Sequence, residues 1–133
     1  MKINTHNKID HKLCGKPIEL KEGFACVTMQ TTKEMVVDEY SLIHGGFVFS
    51  LADHAAMLAV NHPNVVLGSA SVKFLMPVKP DSQLVAYANV TSVNNKKQEV
   101  NVKVLRDEET VFEGQFICFV LNDHVLSTTK GKS

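Results

Sequence analysis

Residues 47–61 read Phe-Val-Phe-Ser-Leu-Ala-Asp-His-Ala-Ala-Met-Leu-Ala-Val-Asn, and this run constrains the fold more than any other. It contains no Gly or Pro, is dense in Ala and Leu between Leu51 and Leu58, and stops at His62-Pro63, which together predict a helix of about four turns. Phe47, Val48, Phe49, Leu51, Ala52, Ala55, Ala56, Met57, Leu58, Ala59 and Val60 cannot share one stripe at about 100° per residue. Such a helix must be buried on nearly every side, so the rest of the chain has to wrap it.

The later residues are suited to wrapping. Residues 65–78 are rich in β-branched and small side chains. Residues 83–93 alternate Leu84, Ala86, Ala88 and Val90, and residues 99–105 alternate Val100, Val102 and Val104. Residues 110–121 add Val111, Phe112, Phe116, Ile117, Phe119 and Val120. Turn signals at Lys79-Pro80-Asp81, Asn94-Asn95-Lys96-Lys97 and Arg106-Asp107-Glu108-Glu109 imply hairpins and therefore antiparallel pairing. Ahead of the helix, residues 17–31 read as a first strand or a small hairpin turning at Lys21-Glu22-Gly23, and residues 34–43 read as a connection. Residues 4–13 carry Ile9 and Leu13 among polar side chains before Gly15 and Pro17, which predicts a short, weakly amphipathic N-terminal helix. The polar tail, residues 124–133, is expected to fray. At 133 residues the chain is one domain, of α+β class: a long central helix wrapped by a five-stranded antiparallel sheet.

Charge and cysteine usage narrow the function. Fourteen Lys and Arg balance fourteen Asp and Glu, so there is no basic field for nucleic-acid phosphates. The polar N-terminus lacks a signal peptide's apolar core, and no uncharged stretch reaches the roughly 20 residues a membrane span needs. Three cysteines, Cys14, Cys26 and Cys118, without CxxC spacing read as reduced thiols in a cytoplasmic protein. His6, His11, His62 and His124 lack metal-ligand spacing, so neither a metal nor a separate cofactor is expected. Lys73, Lys79 and Arg106 read as solvated charges.

Asp53 is the informative residue, because a carboxylate within an apolar helix is costly to bury unless it is paired, hydrogen-bonded or protonated. On a helical wheel Gly46 lies about 20° from it, Met57 about 40°, Ser50 about 60°, Asn61 about 80° and His54 about 100°. Gly46, Ser50, Met57 and Asn61 thus line one side with Asp53. His54 points away from Asp53 and reads as a structural or interface histidine. The glycine pair Gly45-Gly46 stands where the helix begins, and unpaired N–H groups there form a potential oxyanion site. Gly45 and Asp53 are separated by roughly 12 Å along the helix, at about 1.5 Å per residue. Cooperation between them therefore points to a two-fold dimer with antiparallel helices, Gly45 of one subunit facing Asp53 of the other. Ala55, Ala56 and Ala59 leave two options open, a tunnel or close helix packing.

The run from His44-Gly45-Gly46 through Leu51-Ala52-Asp53, followed by Ser-Ala-Ser-Val-Lys-Phe-Leu-Met-Pro at residues 69–77, resembles the hotdog-fold acyl-CoA thioesterases, specifically the phenylacetate-pathway branch. The resemblance spans about residues 36–121. It implies the hotdog fold, a helix wrapped by a five-stranded antiparallel sheet, in homodimers or dimers of dimers with sites at the subunit interface. It further implies that Asp53 is general base or nucleophile, that the Gly45 N–H polarises the thioester carbonyl, that His44 shapes this end of the site, and that Ser71 places the attacking water. Substrate contacts are then expected at Gly46, Ser50, Met57 and Asn61, and at Asp38, which stands where the family often has Asn. Phe74-Leu75-Met76-Pro77 replaces the family's Phe-Leu-Arg-Pro and so lacks its cation. The implied substrate is an acyl-CoA or acyl-carrier-protein thioester, CoA entering only as part of that substrate. The competing expectation is a non-catalytic hotdog module that binds the same ligands as a sensor or accessory factor.

Overall fold

The computed structural model describes residues 1–128. The central helix, α2 (Gly45–Val60), is 16 residues long and starts two residues earlier than its apolar run. It starts there because His44 caps it. The imidazole Nδ1 accepts the Gly46 N–H at 2.7 Å, satisfying one of the donors a helix N-terminus leaves unpaired. At the other end Asn61 adopts the left-handed conformation, φ 53°, and its N–H closes on the Met57 carbonyl, a stop that Asn tolerates.

Around this helix the fold is the hotdog that the resemblance implies, with six strands where five were expected. The strands are β1 (Lys16–Lys21), β2 (Phe24–Gln30), β3 (Val65–Phe74), β4 (Gln83–Asn94), β5 (Lys97–Arg106) and β6 (Glu109–Val120). Their order across the sheet is β1-β2-β4-β5-β6-β3, and every pairing is antiparallel. The sixth strand arises because residues 16–30 fold as a hairpin about Gly23, whose φ of +74° only glycine adopts at no steric cost. Residues 75–78, expected at the end of a strand, lie beyond β3 and lead to the turn at Pro80-Asp81.

The inner face of the sheet is built by strict alternation. Ala25, Val27 and Met29 on β2, Leu84, Ala86 and Ala88 on β4, and Val100, Val102 and Val104 on β5 are all buried, and Phe112, Phe116 and Cys118 continue the layer on β6. Ala88 stands opposite Ala25, and Ala86 opposite Val27, so the middle of the sheet presents a shallow floor. Ala52, Ala55, Ala56 and Ala59 are each at most 2% exposed, in one core with that floor. The small residues on α2 therefore serve close packing. Fully burying Leu51 and Leu58 contributes about 2 kcal/mol each on an area basis.

The N-terminus departs most from expectation. The helix expected over residues 4–13 is one turn, α1 (His11–Cys14), because Asp10 caps it through Oδ1 to the N–H groups of Lys12 and Leu13, and His6 sits at a left-handed φ of 55° that interrupts anything longer. The residues before α1 instead form an arm laid antiparallel along α2. Cys14 lies beside Ser50, His6 and His11 flank His54, and Lys2 and Asn4 are held by Asn61. Of the tail expected to fray, Val125–Thr128 forms one helical turn, α3, and residues 129–133 lie outside the described residues.

Candidate functional site

Among the described residues, one buried side-chain oxygen has no partner. The Oδ1 atom of Asp53 is buried without a hydrogen bond among the described residues. An ionised carboxylate so placed gives up hydration without compensation. Burial accordingly pushes the Asp53 carboxyl up from its ordinary 3.8 to about 6. Its surroundings include two thiols, Cys14 from α1 and Cys118 from β6, both of which feel its charge. Burial, then the Asp53 charge, pushes Cys118 to about 12. Cys14 is raised by burial, Asp10 and Asp53, against a Ser50 hydroxyl bond that acts the other way. Both thiols stay protonated at neutral pH, which makes them poor nucleophiles.

The helix start is the second element. His44 takes up the Gly46 N–H, whereas the Gly45 N–H points out of the first turn with no partner among the described residues. The Phe74 ring lies over it: a Cβ added to Gly45 would sit 3.0 Å from that ring. Phe74 itself stacks edge-on against Phe112 at 5.1 Å, so the aromatic wall beside Gly45 is anchored in the core. An unsatisfied donor, the positive end of a 16-residue helix and an apolar wall make a site for a developing negative charge. Eight residues of helix, about 12 Å, separate it from Asp53.

The other residues expected at the site fall into different places. Ser50 and Met57 share the Asp53 side of α2, Ser50 beside the Cys14 thiol and Met57 in the core. Asn61 is committed elsewhere, since its Nδ2 donates to the Lys2 carbonyl and its Oδ1 accepts from the Asn4 N–H. Ser71 is not brought to Asp53. Strand alternation puts Val72 and Phe74 on the inner face, and Ser71 opposite Gln115 on the outer face, in a shallow cleft with Lys73, Asn101 and Glu113. Asp38 closes its own turn, accepting from the N–H groups of Tyr40 and Leu42 at 3.0 and 3.1 Å. A larger, mainly apolar cleft of about 810 Å³ opens between His11, Lys16, Met29, Met35 and Phe47, at the first turn of α2.

Sequence reasoning missed the His6–His54–His11 stack, whose rings lie 6.5 and 6.4 Å from the central one and within about 22° of parallel. The signal was the row Ser50, His54 and Asn61 on the helix, each of which finds its partner in the arm. No group of three or more His, Cys, Asp or Glu side chains among the described residues could hold a metal ion, and no described helix is long and apolar enough to cross a membrane.

Comparison with known proteins gives this arrangement relatives. The profile of the family described as "Thioesterase superfamily" matches residues 40–113, which carry both Gly45 and Asp53. A methylthioribose-1-phosphate isomerase of Aquifex aeolicus is 48% identical over 92% of this chain, but the match covers 27% of that protein. A transcription factor FapR of Caldanaerobacter subterraneus is 30% identical over 86% of this chain and 58% of its own length, so the chain spans only part of both relatives. The acyl-coenzyme A thioesterase PaaI of Escherichia coli is 30% identical over 80% of each chain. Among solved structures, an uncharacterised protein of Pyrococcus horikoshii shares 54% identity at a TM-score of 0.94, covering 95% of this chain and 97% of that one. The E. coli PaaI structure shares 28% identity at a TM-score of 0.77, covering 84% and 83%.

Proposed function

This chain belongs to the thioesterase superfamily, and on that premise we propose that it hydrolyses an acyl or aryl-acyl thioester, of CoA or of acyl-carrier protein, at a site shared by two copies of the chain. The observation that carries the reading is the unpartnered, buried carboxylate of Asp53, which ionises at about 6 and so works as a base at neutral pH. A water oxygen attacks the thioester carbonyl carbon as Asp53 takes the water's proton. The carbonyl oxygen becomes the oxyanion of a tetrahedral intermediate, held by the Gly45 N–H and the helix dipole. The C–S bond then breaks with its electron pair on sulfur, and the proton returns from Asp53 to the leaving thiolate. Attack by the Asp53 carboxylate itself, followed by hydrolysis of the mixed anhydride, uses the same groups.

His44 serves this chemistry by capping the helix so that Gly46 is satisfied and Gly45 stays free. The cleft beside Met29, Met35 and Phe47 offers an apolar bed for the acyl group close to that turn. Two copies are invoked because 12 Å of helix separates the donor from the base within one chain, as estimated from the rise per residue. Support comes from the free edge of β3 and the exposed Phe74, Leu75, Met76 and Tyr40, an apolar strip suited to a second copy. Three free thiols fit a reducing, cytoplasmic setting.

A second reading, a non-catalytic acyl-thioester sensor, is favoured by the likeness to the transcription factor over 86% of this chain. The test is free-thiol release from short, long and aromatic acyl-CoA substrates by the wild type and Asp53→Asn side by side. Saturable release that falls at least about 10²-fold in the variant is expected. Mixing Asp53→Asn with Gly45→Pro subunits should restore part of it through dimers with one intact shared site. Acyl-CoA binding without release across the panel would select the sensor reading.

A further inference from the structure

His54 is 1% exposed in the middle of α2, and its Nδ1–H donates to the Cys14 carbonyl at 3.1 Å. The arm sets two further imidazoles beside it. His6 and His11 lie at 22° and 21° to its ring, with centroids 6.5 and 6.4 Å away. His6 is itself half-buried, and its Nδ1 meets the Thr5 hydroxyl at 2.8 Å. Little else holds this part of the arm, because α1 is a single turn and residues 1–10 join no strand. The bonds at Asn61 hold only Lys2 and Asn4. Beyond Cys14 the chain is tightly seated: Gly15 has a φ of +98°, and a Cβ there would lie 2.5 Å from Leu51 Cδ1 and 2.8 Å from Val27 Cγ1. The same arm also has an outward face. His11, Lys12 and Leu13 line the apolar cleft of about 810 Å³ together with the buried Met29 and Met35. His11 thus belongs both to the imidazole row and to the cleft.

We propose that the three imidazoles form an acid-sensitive clasp: neutral, they seat the arm against α2 as a wall of the apolar cleft, and on taking up protons they release it and open the cleft. Like charges at these spacings repel, the more so where water is shut out. A charged His54 ring also goes without hydration as long as it stays buried. Burial lowers the ionisation of His6 and of His54; for His54 the Cys14 backbone bond opposes this and the His6 and His11 charges add to it. The seated arm therefore favours neutral rings. Its hold is fully present above the ordinary 6.5 and weakens as pH falls below that value, because the released rings take up protons more readily. Around the clasp stand Lys8, Asp10, Lys12 and the Cys14 thiol of the arm, Lys16 and Glu34 along the cleft from His11, and His124 in a small cleft with His6. On α2 Asp53 adjoins His54 in sequence, and the buried inner face of the sheet adds only the Cys118 thiol among the described residues. The charges that bear on His54 are those of His6 and His11. The clasp acts without turnover; only the cleft's service as an acyl bed rests on the thioesterase reading.

The experiment measures amide hydrogen exchange of the full chain by NMR at pH 8 and pH 5, with rates corrected for their intrinsic pH dependence. The reporters are the Cys14 and Gly15 N–H groups, bonded to the Asp10 and His11 carbonyls at 2.9 Å each, with the buried Val102 and Val104 of β5 as core references. In the wild type, protection at Cys14 and Gly15 should fall at least about tenfold at pH 5, the change that one pH unit of linkage produces, with β5 unmoved. His54→Gln, whose amide can still donate to the carbonyl but takes up no proton, should hold that fall below about threefold, and so should His6→Gln/His11→Gln. The Met29 and Met35 methyl signals should broaden at pH 5 with a neutral gadolinium chelate in solution, while that of Met57 in the core does not. Unchanged protection in the wild type, an undiminished fall in both variants, or a fall shared by β5 overturns the clasp. Methyls that stay shielded while the arm exchanges overturn its role as a wall of the cleft. If His54→Gln does not fold, the double variant, altered only outside the helix, decides alone. An inactive wild type counts against the thioesterase reading and leaves these measurements untouched.

Discussion

Asp53 and His54 are neighbours on α2, both ionisable, both set among apolar side chains, and the structure treats them in opposite ways. His54 is buried, yet its donor meets the Cys14 carbonyl, and two other imidazoles lie near-parallel to it with centroids at 6.5 and 6.4 Å. Asp53 has one oxygen, Oδ1, equally removed from water and without a hydrogen-bond partner among the described residues. Burial favours the neutral form of each. The carboxyl is raised, while the imidazole is lowered by burial, with the nearby His6 and His11 reinforcing and the backbone of Cys14 and Gly15 opposing. A satisfied buried group stabilises the fold, whereas an unsatisfied one costs stability and is retained where the strain has a use. The pair therefore sets a partnered buried group beside an unpartnered one on adjacent positions of one helix.

The largest effect expected from breaking this contrast is a stability gain at Asp53. Its folded ionisation lies above the unfolded 3.8, so the contribution is fully present below 3.8 and is lost as pH rises through about 6. The interval of about two pH units corresponds to roughly 3 kcal/mol. Asp53→Asn should thus unfold at higher denaturant than wild type at pH 8, by up to about 3 kcal/mol, with the difference closing near pH 4. A variant that is inactive and less stable at pH 8 would return Asp53 to an ordinary structural role.

A smaller effect of opposite sign belongs to His54. Its folded ionisation lies below 6.5, so its contribution is present above 6.5 and is lost as pH falls through that value and the unfolded chain takes up protons. His54→Leu leaves the Cys14 carbonyl without its donor and should cost about 1 kcal/mol at pH 8. That cost should shrink below pH 6.5, because the variant no longer carries this histidine's proton linkage. Chemical denaturation at pH 5, 6.5 and 8 measures it, and a cost that grows with acidity would show that His54 is charged in the fold.

How much of this was legible in the sequence follows from which interactions are periodic. The helix, the four later strands and their antiparallel order could be read because Leu84, Ala86 and Ala88, or Val100, Val102 and Val104, repeat every second residue, while the 47–61 run has no polar face wide enough for water. Asp53 stood out against that apolar background, and the Gly45-Gly46 pair marked the helix start two residues before the apolar run itself. The face on which Ser71 lies within one chain was not carried by the resemblance, which transfers a position, whereas the side of a strand is decided by alternation about Val72. The arm was read as a helix because Ile9 and Leu13 looked amphipathic; its fate depended on long-range bonds from Asn61 and His54, which leave no period in the sequence.

The two attachments of the arm allow the comparison to be sharpened once more, at the smallest scale. Asn61 holds Lys2 and Asn4 by two exposed hydrogen bonds and sits at a left-handed φ of 53°. Asn61→Gly removes both bonds, each of which contributes about 0.5–1 kcal/mol when solvent can replace it. Glycine relieves the conformational cost of that φ, so the net loss should stay below about 1 kcal/mol. The chain start should then loosen, with faster amide exchange at Asn4, while Cys14 remains pinned by His54. Unchanged exchange at Asn4 in Asn61→Gly would mean that contacts other than these two hydrogen bonds hold the chain start in place.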